Sequence, residues 1–316
     1  MSRHRRDFLE TLAAVAGVFN MPGDAEAQES RLFAGFRTRR IATSGSSINL
    51  VTAGSGPPLL LLHGYPQSHV MWHKIAPRLA ELFTVVVPDL RGYGDSSKPI
   101  DGENHGNYSK RAMALDQIEV MRTLGFDKFA VVGHDRGARV TWRLAVEHPQ
   151  HVTKATVIDI VPLPYSNVTR EFATAYFHWF FLIQPAPLPE ELIGARPEVF
   201  LRRFLRAPAS VHTPEAFAQI LRSFRDPATI HATCEDYRAG ASIDLMHAEE
   251  TRGKRVECPL LVLWGERSTV GQLYDVMKIW REQASDVRGK ALPGGHYLPE
   301  ELPEQMLAEI SAFMRT

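Results

Sequence analysis

Cysteine is scarce in this chain of 316 residues, which has only Cys234 and Cys258. Two thiols exclude a disulfide framework and a thiolate metal cluster. In an oxidising compartment the two could pair, but buried free thiols are the stronger expectation. Histidine pairs with the HExxH spacing are also absent, so the sequence predicts neither a metal site nor a cofactor.

An excess of either charge is absent as well, since 36 lysines and arginines balance 36 aspartates and glutamates. No basic surface therefore indicates binding to nucleic acid or to an anionic membrane. No apolar run approaches the roughly 20 residues that a helix needs to cross a bilayer. We expect a small-molecule partner and no stable membrane insertion.

Residues 1–27 have the pattern of an export signal. Paired arginines open the segment Arg5–Leu9, Leu12–Phe19 is a short apolar stretch, and Ala25–Ala27 offers a small-residue cleavage site. The arginines followed by Phe-Leu resemble the twin-arginine signal of bacteria. We expect a periplasmic or exported protein, or a cytoplasmic one if the signal is not used. The alternative is a loosely structured extension without a targeting role.

Short apolar runs alternate with helical patterns after this segment, which is typical of a parallel α/β fold. Between residues 161 and 254 the pattern changes to aromatic-rich helical segments broken by prolines. We predict a core formed by residues 28–160 and 255–316, with a helical cap, 161–254, inserted after its sixth strand. Such a cap would exclude water from the sheet edge. Strands are predicted at Ile48–Val51, Leu59–Leu62, Thr84–Val87, Phe129–Val132, Ala155–Ile160, Leu260–Trp264 and Lys290–Leu292.

The run Phe129–Arg139 is the most informative segment. Its apolar strand ends in Gly133–Gly137, and a helical segment follows at once. This matches the G-x-Nuc-x-G turn of the α/β-hydrolases, with aspartate where serine is usual. A carboxylate attacks saturated carbon rather than an acyl group, so Asp135 as nucleophile indicates displacement at an alkyl halide or an epoxide. The competing interpretation is an aspartate that only caps the helix.

A base and its acid partner follow in the expected order. His296 comes after the last predicted strand, in Pro293–Tyr297. Asp159 closes an apolar strand, where a carboxylate is costly unless it is paired, so we predict that it orients His296. Glu266 is the reserve candidate, because Ser268 stands where an aspartate would commonly fall.

Two further sets of residues surround this predicted triad. The backbone N–H groups of Tyr65 and Arg136 are the predicted oxyanion hole. Arg136 and Arg139 lie three apart at the start of a helix, on nearly the same face. A helix N-terminus repels cations, so the pair favours a bound substrate carboxylate. The alternative is a pair of arginines that form salt bridges with internal acids.

Together these residues resemble the fluoroacetate (haloacetate) dehalogenases of the α/β-hydrolase superfamily. The resemblance covers the chain from about Phe33 onward and is carried by Gly133–Arg139, Val157–Pro162, His178-Trp179 running on to Gln184–Pro189, and Asp236–Arg238. It implies the α/β-hydrolase fold, with a mostly parallel eight-stranded sheet flanked by helices and an inserted cap. A homodimer would fit the family. One departure is Ala138, where relatives commonly have glycine.

The resemblance also implies roles. The catalytic residues would be Asp135, His296 and Asp159. The substrate carboxylate would bind Arg136 and Arg139, and the departing halide would take hydrogen bonds from His178, Trp179 and Tyr237. The expected reaction is hydrolytic dehalogenation of short 2-haloacids to 2-hydroxyacids and halide through an aspartyl ester.

Two other functions remain open at this point. An epoxide hydrolase would use the same triad with Tyr176 and Tyr237 as acids toward the epoxide oxygen. A binding or receptor protein of the same fold would hold a small ligand without turnover.

Cleavage of the N-terminal signal gives the first testable prediction. The mature chain should begin near Gln28, because the cleavage site ends at Ala27. N-terminal sequencing of native protein from a periplasmic extract checks this. Retention of Met1 or Ser2 would contradict it.

Overall fold

A single eight-stranded sheet forms the centre of the computed structural model, which describes residues 31–162, 168–205 and 211–316. The predicted signal, residues 1–27, lies outside these ranges. The strand order is β1-β2-β4-β3-β5-β6-β7-β8. The strands are β1 (Arg37–Ala42), β2 (Ser47–Ala53), β3 (Pro58–Leu62), β4 (Thr84–Pro88), β5 (Phe129–His134), β6 (Val152–Ile158), β7 (Leu260–Gly265) and β8 (Val287–Leu292).

Strand β2 runs antiparallel to both of its neighbours, and the remaining neighbours pair in parallel. The predicted mostly parallel eight-stranded sheet is therefore confirmed. The side chains of Leu59–Leu62 are fully buried, as expected for a strand that is covered on both faces.

Strand β1 was not located from the sequence, and its environment explains why. Five of its six residues are exposed, and three of them are arginines. It lies at the edge of the sheet, where charged side chains discourage pairing with another chain. Such a strand lacks the apolar pattern on which strand prediction depends.

Helices precede, form and follow a long connection between β6 and β7. Before it come α1 (Ala76–Leu79), α2 (Lys110–Thr123) and α3 (Arg136–Glu147). The connection contains α4 (Arg170–Ala175), α5 (Phe177–Leu182), α6 (Leu188–Ala195), α7 (Pro197–Phe204), α8 (Pro214–Phe224), α9 (Pro227–Gly240) and α10 (Ile243–Glu250). After β7 follow α11 (Thr269–Leu273), α12 (Val276–Gln283), α13 (Leu298–Glu301) and α14 (Pro303–Arg315). The division into core and cap stays a prediction.

The topology brings four loops to one edge of the sheet. Strand order reverses beside β3, which lies between β4 and β5. In open α/β sheets, ligands bind beyond the carboxyl ends of the strands at such a reversal. The loops after β3, β5, β6 and β8 carry Tyr65, Asp135, Asp159 and His296, respectively.

Within the described ranges, no helix has the length and apolar character to cross a membrane.

The glycine after the nucleophile position yields a stability prediction. A Cβ on Gly137 would lie 2.4 Å from the carbonyl oxygen of His63 and 2.5 Å from that of Leu62. Both are backbone atoms, at the end of β3 and in the residue that follows it, and they cannot move cheaply. Gly137→Ala should therefore lower the free energy of unfolding by about 1–3 kcal/mol, measured by denaturant titration. Gly106→Ala is the control, since nothing lies within 4 Å of that position. Equal stability of the two variants would refute the steric argument.

Candidate active site

Asp135 occupies the sharp turn between β5 and α3. Its backbone has φ 48° and ψ −115°, a conformation that costs a residue with a side chain about 1–3 kcal/mol. The carboxylate makes no capping hydrogen bond to α3, which argues against the helix-cap interpretation. Its Oδ1 instead accepts a hydrogen bond of 2.9 Å from the backbone N–H of Tyr65.

The charge of Asp135 is maintained against burial. Burial alone would raise the pKa of this carboxyl group, but the nearby His296, His134 and Arg136 and the Tyr65 N–H outweigh it, so the pKa lies below its usual value. Asp135 is thus an ionised carboxylate that is 9% exposed. That is the state in which it can act as a nucleophile.

The loop after β3 approaches this carboxylate closely. A Cβ on Gly64 would lie 2.5 Å from the Cβ of Asp135, so only glycine permits the contact. The next residue, Tyr65, donates its N–H to Asp135. Arg136 is the first residue of α3, and the first N–H groups of a helix have no acceptor within it. The two predicted oxyanion donors therefore border the nucleophile.

His296 is held by Asp159. Its Nδ1 lies 2.6 Å from Oδ2 of Asp159, and the other carboxylate oxygen accepts from the Gly265 N–H at 3.0 Å and the Ser268 hydroxyl at 2.6 Å. Burial alone would lower the pKa of His296, but the hydrogen bond and charge of Asp159 raise it above its ordinary value. Glu266 is exposed, whereas Asp159 is the carboxylate bonded to the imidazole.

Ser268 is a supporting residue that sequence reasoning noted only as the place of a missing aspartate. Its hydroxyl donates to Asp159 and accepts from the Gly271 N–H at 3.1 Å, which caps helix α11. The serine thus orients the acid that reaches the histidine from β6. A serine before a helical pattern is an ordinary N-cap signal, and only the fold reveals its second contact.

Arg136 forms the internal ion pair that the alternative interpretation expected. Its Nε donates to Oδ2 of Asp236 at 2.9 Å, and its Nη2 donates to Oδ1 at 2.7 Å. Asp236 also accepts from Lys110 and, at 2.6 Å, from the hydroxyl of Tyr93. Nη1 is the one guanidinium nitrogen that Asp236 does not engage. Lys110 and Tyr93 were not identified from the sequence, because residues so distant along the chain give no local signal.

Arg139 lies in a different electrostatic environment. Its Nη1 is 3.5 Å from the carbonyl oxygen of Val161, and its guanidinium lies 5.0 Å from the ring centroid of Trp179. Burial, and then the positive charge of Arg136, lower the pKa of Arg139 to about 10. A bound anion would relieve both effects. The position is therefore suited to a substrate carboxylate.

A cavity of about 410 Å³ opens beside Asp135 and His296. Asp135, His296 and Tyr65 line it together with Tyr176, His178 and Tyr237. Trp179 packs beside the cavity, with its ring centroid 5.9 Å from that of Tyr237. Asp159, Arg136 and Arg139, like Trp179, are not lining residues, but each contacts one: His296, Tyr237 and Asp135, respectively. The residues predicted for the site therefore lie in one region, with both arginines behind the lining.

Two of the predicted halide donors, His178 and Tyr237, are held in their neutral forms. Burial lowers the pKa of His178 to about 3, so its ring keeps a single N–H. Its Nδ1 is buried without a hydrogen-bond partner in the part of the chain that the structure describes. Burial, with the charge of Asp135, raises the pKa of Tyr237 well above its usual value, so the phenol stays protonated. Both side chains can offer a hydrogen bond to an anion.

Among the residues that the structure describes, Asp101, His231 and Glu235 form a group with metal-ligand chemistry outside the cavity. The donor atoms of Asp101, His231 and Glu235 lie within 4.8 Å of one another. Both ring nitrogens of His231 already contact carboxylates, Asp101 at 2.9 Å and Glu190 at 3.0 Å. Burial opposes protonation of this imidazole, but the two carboxylates raise its pKa. A metal requires the neutral ring, so we assign no metal to this group.

The fold and the site define the class of protein. The chain belongs to the α/β-hydrolase fold family, whose model matches residues 57–302.

Individual relatives are more specific. A fluoroacetate dehalogenase of Burkholderia sp is 44% identical over 289 residues, which are 90% of this chain and 95% of the relative. A soluble epoxide hydrolase of Corynebacterium sp. (strain C12) is 35% identical over 270 residues, covering 83% of this chain and 91% of the relative. A solved structure from Nostoc sp PCC 7120, described as a candidate alpha/beta hydrolase, superposes with a TM-score of 0.88 at 57% identity and covers 89% of this chain and 99% of its own.

The bond between His296 and Asp159 yields a prediction. Asp159→Asn removes the charge that raises the pKa of His296, so that pKa should fall. Glu266→Gln should leave it unchanged, because Glu266 is exposed and does not bond the imidazole. NMR titration of the His296 ring protons checks both variants. A fall in the Glu266 variant alone would make Glu266 the acid partner.

Proposed function

We propose that this protein hydrolyses the carbon–halogen bond of short 2-haloacids and releases a 2-hydroxyacid and halide. The observation that carries the proposal is the ionised, buried carboxylate of Asp135 at the nucleophile position. It shares a cavity with the Asp159-bonded His296 and lies close to two buried arginines. The similarity to a fluoroacetate dehalogenase supports the substrate class.

The first step is displacement at the α-carbon. An oxygen of Asp135 attacks from the side opposite the halogen, a carbon–oxygen bond forms, and the halide leaves with the electron pair of the broken bond. Arg139 and the remaining Nη1 of Arg136 bind the substrate carboxylate in this proposal. Hydrogen bonds that replace the hydration of the departing halide come from His178, Trp179 and Tyr237.

The second step is hydrolysis of the ester on Asp135. His296 takes a proton from water, and the hydroxide attacks the carboxyl carbon of Asp135. The N–H groups of Tyr65 and Arg136 stabilise the developing oxyanion, and Asp159 stabilises the imidazolium. The ester bond then breaks, and the 2-hydroxyacid takes up the proton.

Because His296 must be neutral and its pKa is raised, turnover falls as the pH drops through that pKa.

An epoxide hydrolase is the second candidate, and a specific observation favours it. Tyr176 and Tyr237 both line the cavity, and burial raises the pKa of each phenol well above its usual value. Protonated phenols can donate a proton to an epoxide oxygen. The soluble epoxide hydrolase from Corynebacterium supports this reading. Against it, the lowered pKa of Arg139 indicates a site that favours an anion over a neutral substrate. A ligand-binding protein without turnover is disfavoured by the intact triad.

We also propose that the protein is exported and that it associates with itself. Export by the twin-arginine route rests on the pattern of residues 1–27. Self-association as a homodimer is supported by exposed apolar side chains on α6 and α7, among them Leu188, Leu192 and Val199.

Turnover itself is the first test. The protein should release halide from fluoroacetate, chloroacetate or other short 2-haloacids, and Asp135→Asn should abolish the release, because an amide is not a nucleophile here. Diol formation from styrene oxide is assayed in parallel. Diol without halide would replace the dehalogenase by the epoxide hydrolase.

The covalent route makes a separate prediction. In a single turnover in heavy-oxygen water, one labelled oxygen should be incorporated into the carboxylate of Asp135. That oxygen reaches the product only in a later turnover. Mass spectrometry of the peptide that contains Asp135 detects it. His296→Ala should leave the ester trapped, because water is no longer activated. Label that appears in the hydroxyacid and never in the protein would exclude the ester.

A further inference from the structure

Glu301 contacts the backbone on both sides of the predicted base. It ends the short helix α13, which begins two residues after His296. One carboxylate oxygen, Oε2, accepts the Gly295 N–H at 2.6 Å, and the other, Oε1, accepts the Tyr297 N–H at 2.9 Å. The two donors belong to the residues immediately before and after His296. The carboxylate therefore bridges the loop that carries the imidazole.

This loop needs such a bridge. Gly294 and Gly295 precede the histidine, and glycine loses more conformational freedom on folding than any other residue. A Cβ at position 295 would lie 2.9 Å from Oε1 of Glu301, so the glycine gives the carboxylate room. Asp159 binds the imidazole ring but not the backbone. The backbone of His296 itself is bonded by His134, whose Nε2 donates to the His296 carbonyl oxygen at 2.8 Å.

The neighbouring glutamate links the same helix to the opposite side of the site. Oε2 of Glu300 accepts a hydrogen bond of 2.5 Å from Nε2 of Gln67, two residues beyond Tyr65. Helix α13 thus connects the loop of the base with the loop of the predicted oxyanion hole. A shift of Glu301 would therefore change the position of His296 relative to Tyr65.

The charge of Glu301 also acts on the imidazole. Three carboxylates raise the pKa of His296 against the effect of burial, and they are Asp159, Asp135 and Glu301. Other titratable groups that face the imidazole are His134 and His178, whose pKa values burial lowers to about 3, and Tyr297, whose pKa burial raises. All three therefore remain neutral over the working range. Glu301 is the carboxylate in this group that neither reacts nor bonds the ring.

We propose that Glu301 is a positioning residue for the base, holding the His296 loop where the imidazole can activate water. The inference rests on the proposed function for its place in the reaction. It assigns Glu301 to the hydrolysis of the ester and not to the displacement of halide, because His296 acts only in the second step.

Glu301→Gln tests the proposal. Glutamine has one amide oxygen, so it can accept in place of only one carboxylate oxygen, and it carries no charge. The turnover number kcat should fall about tenfold while the first-turnover burst of halide remains, and ester should accumulate on Asp135. The acidic limb of kcat should move to lower pH, since the pKa of His296 falls.

Two matched variants separate positioning from charge. Glu304→Gln removes an equal charge from an exposed side chain that lies outside the loop, so it should behave like the wild type. Glu301→Asp keeps the charge but is one methylene shorter. It should preserve the pH limb while kcat stays low.

The His296 titration is also followed by NMR in the resting protein, without substrate. An unchanged kcat and an unchanged His296 pKa in Glu301→Gln would overturn the inference. Absence of halide release by the wild type would instead overturn the proposed function, and the NMR titration would still decide whether Glu301 acts on His296. If Glu301→Gln does not fold, as thermal unfolding would show, a wild-type kcat in Glu301→Asp is the result that overturns the positioning role.

Discussion

The buried carboxylate of Asp135 stays charged although its surroundings oppose the charge, and the rest of the site depends on this balance. Removal from water alone would protonate the group. The N–H of Tyr65 and the nearby His296, His134 and Arg136 together lower its pKa instead. His134 ends a strand, Arg136 begins a helix, and Tyr65 and His296 lie in the loops that follow β3 and β8. The eight-stranded sheet thus places the groups that keep a buried nucleophile ionised.

A second balance concerns the two arginines, which share a helix but not a role. Asp236 neutralises Arg136, and Lys110 and Tyr93 complete the bonding of that aspartate. Burial and the positive charge of Arg136 lower the pKa of Arg139 to about 10. Two equivalent guanidinium groups beside Asp135 would weaken its nucleophilic oxygen. With Arg136 neutralised by Asp236, Arg139 is the guanidinium whose lowered pKa an incoming carboxylate would raise again.

Much of this organisation is local in the sequence and was therefore predictable. The apolar run before Asp135, the two flanking glycines and the following helix are contiguous. The order Asp135, Asp159, His296 is a property of the chain itself. Strand β1 and the partners of Arg136 were not predictable, for two different physical reasons. An exposed edge strand lacks an apolar pattern, and Asp236 is one hundred residues away from Arg136. In the sequence, Ser268 stands where an aspartate is common. Its bond to Asp159 could not be predicted, because it depends on the pairing of β6 with β7.

The ionic contact of Asp236 also constrains how small molecules enter and leave. Asp236 belongs to α9, in the connection between β6 and β7, whereas Arg136 and Lys110 belong to helices α3 and α2 of the preceding segment. Moving α9 away from the sheet would separate the buried Asp236 from two buried cations, and breaking one buried pair alone costs about 3–5 kcal/mol. We therefore expect α9, whose Tyr237 lines the cavity, to stay in place while small molecules enter and leave.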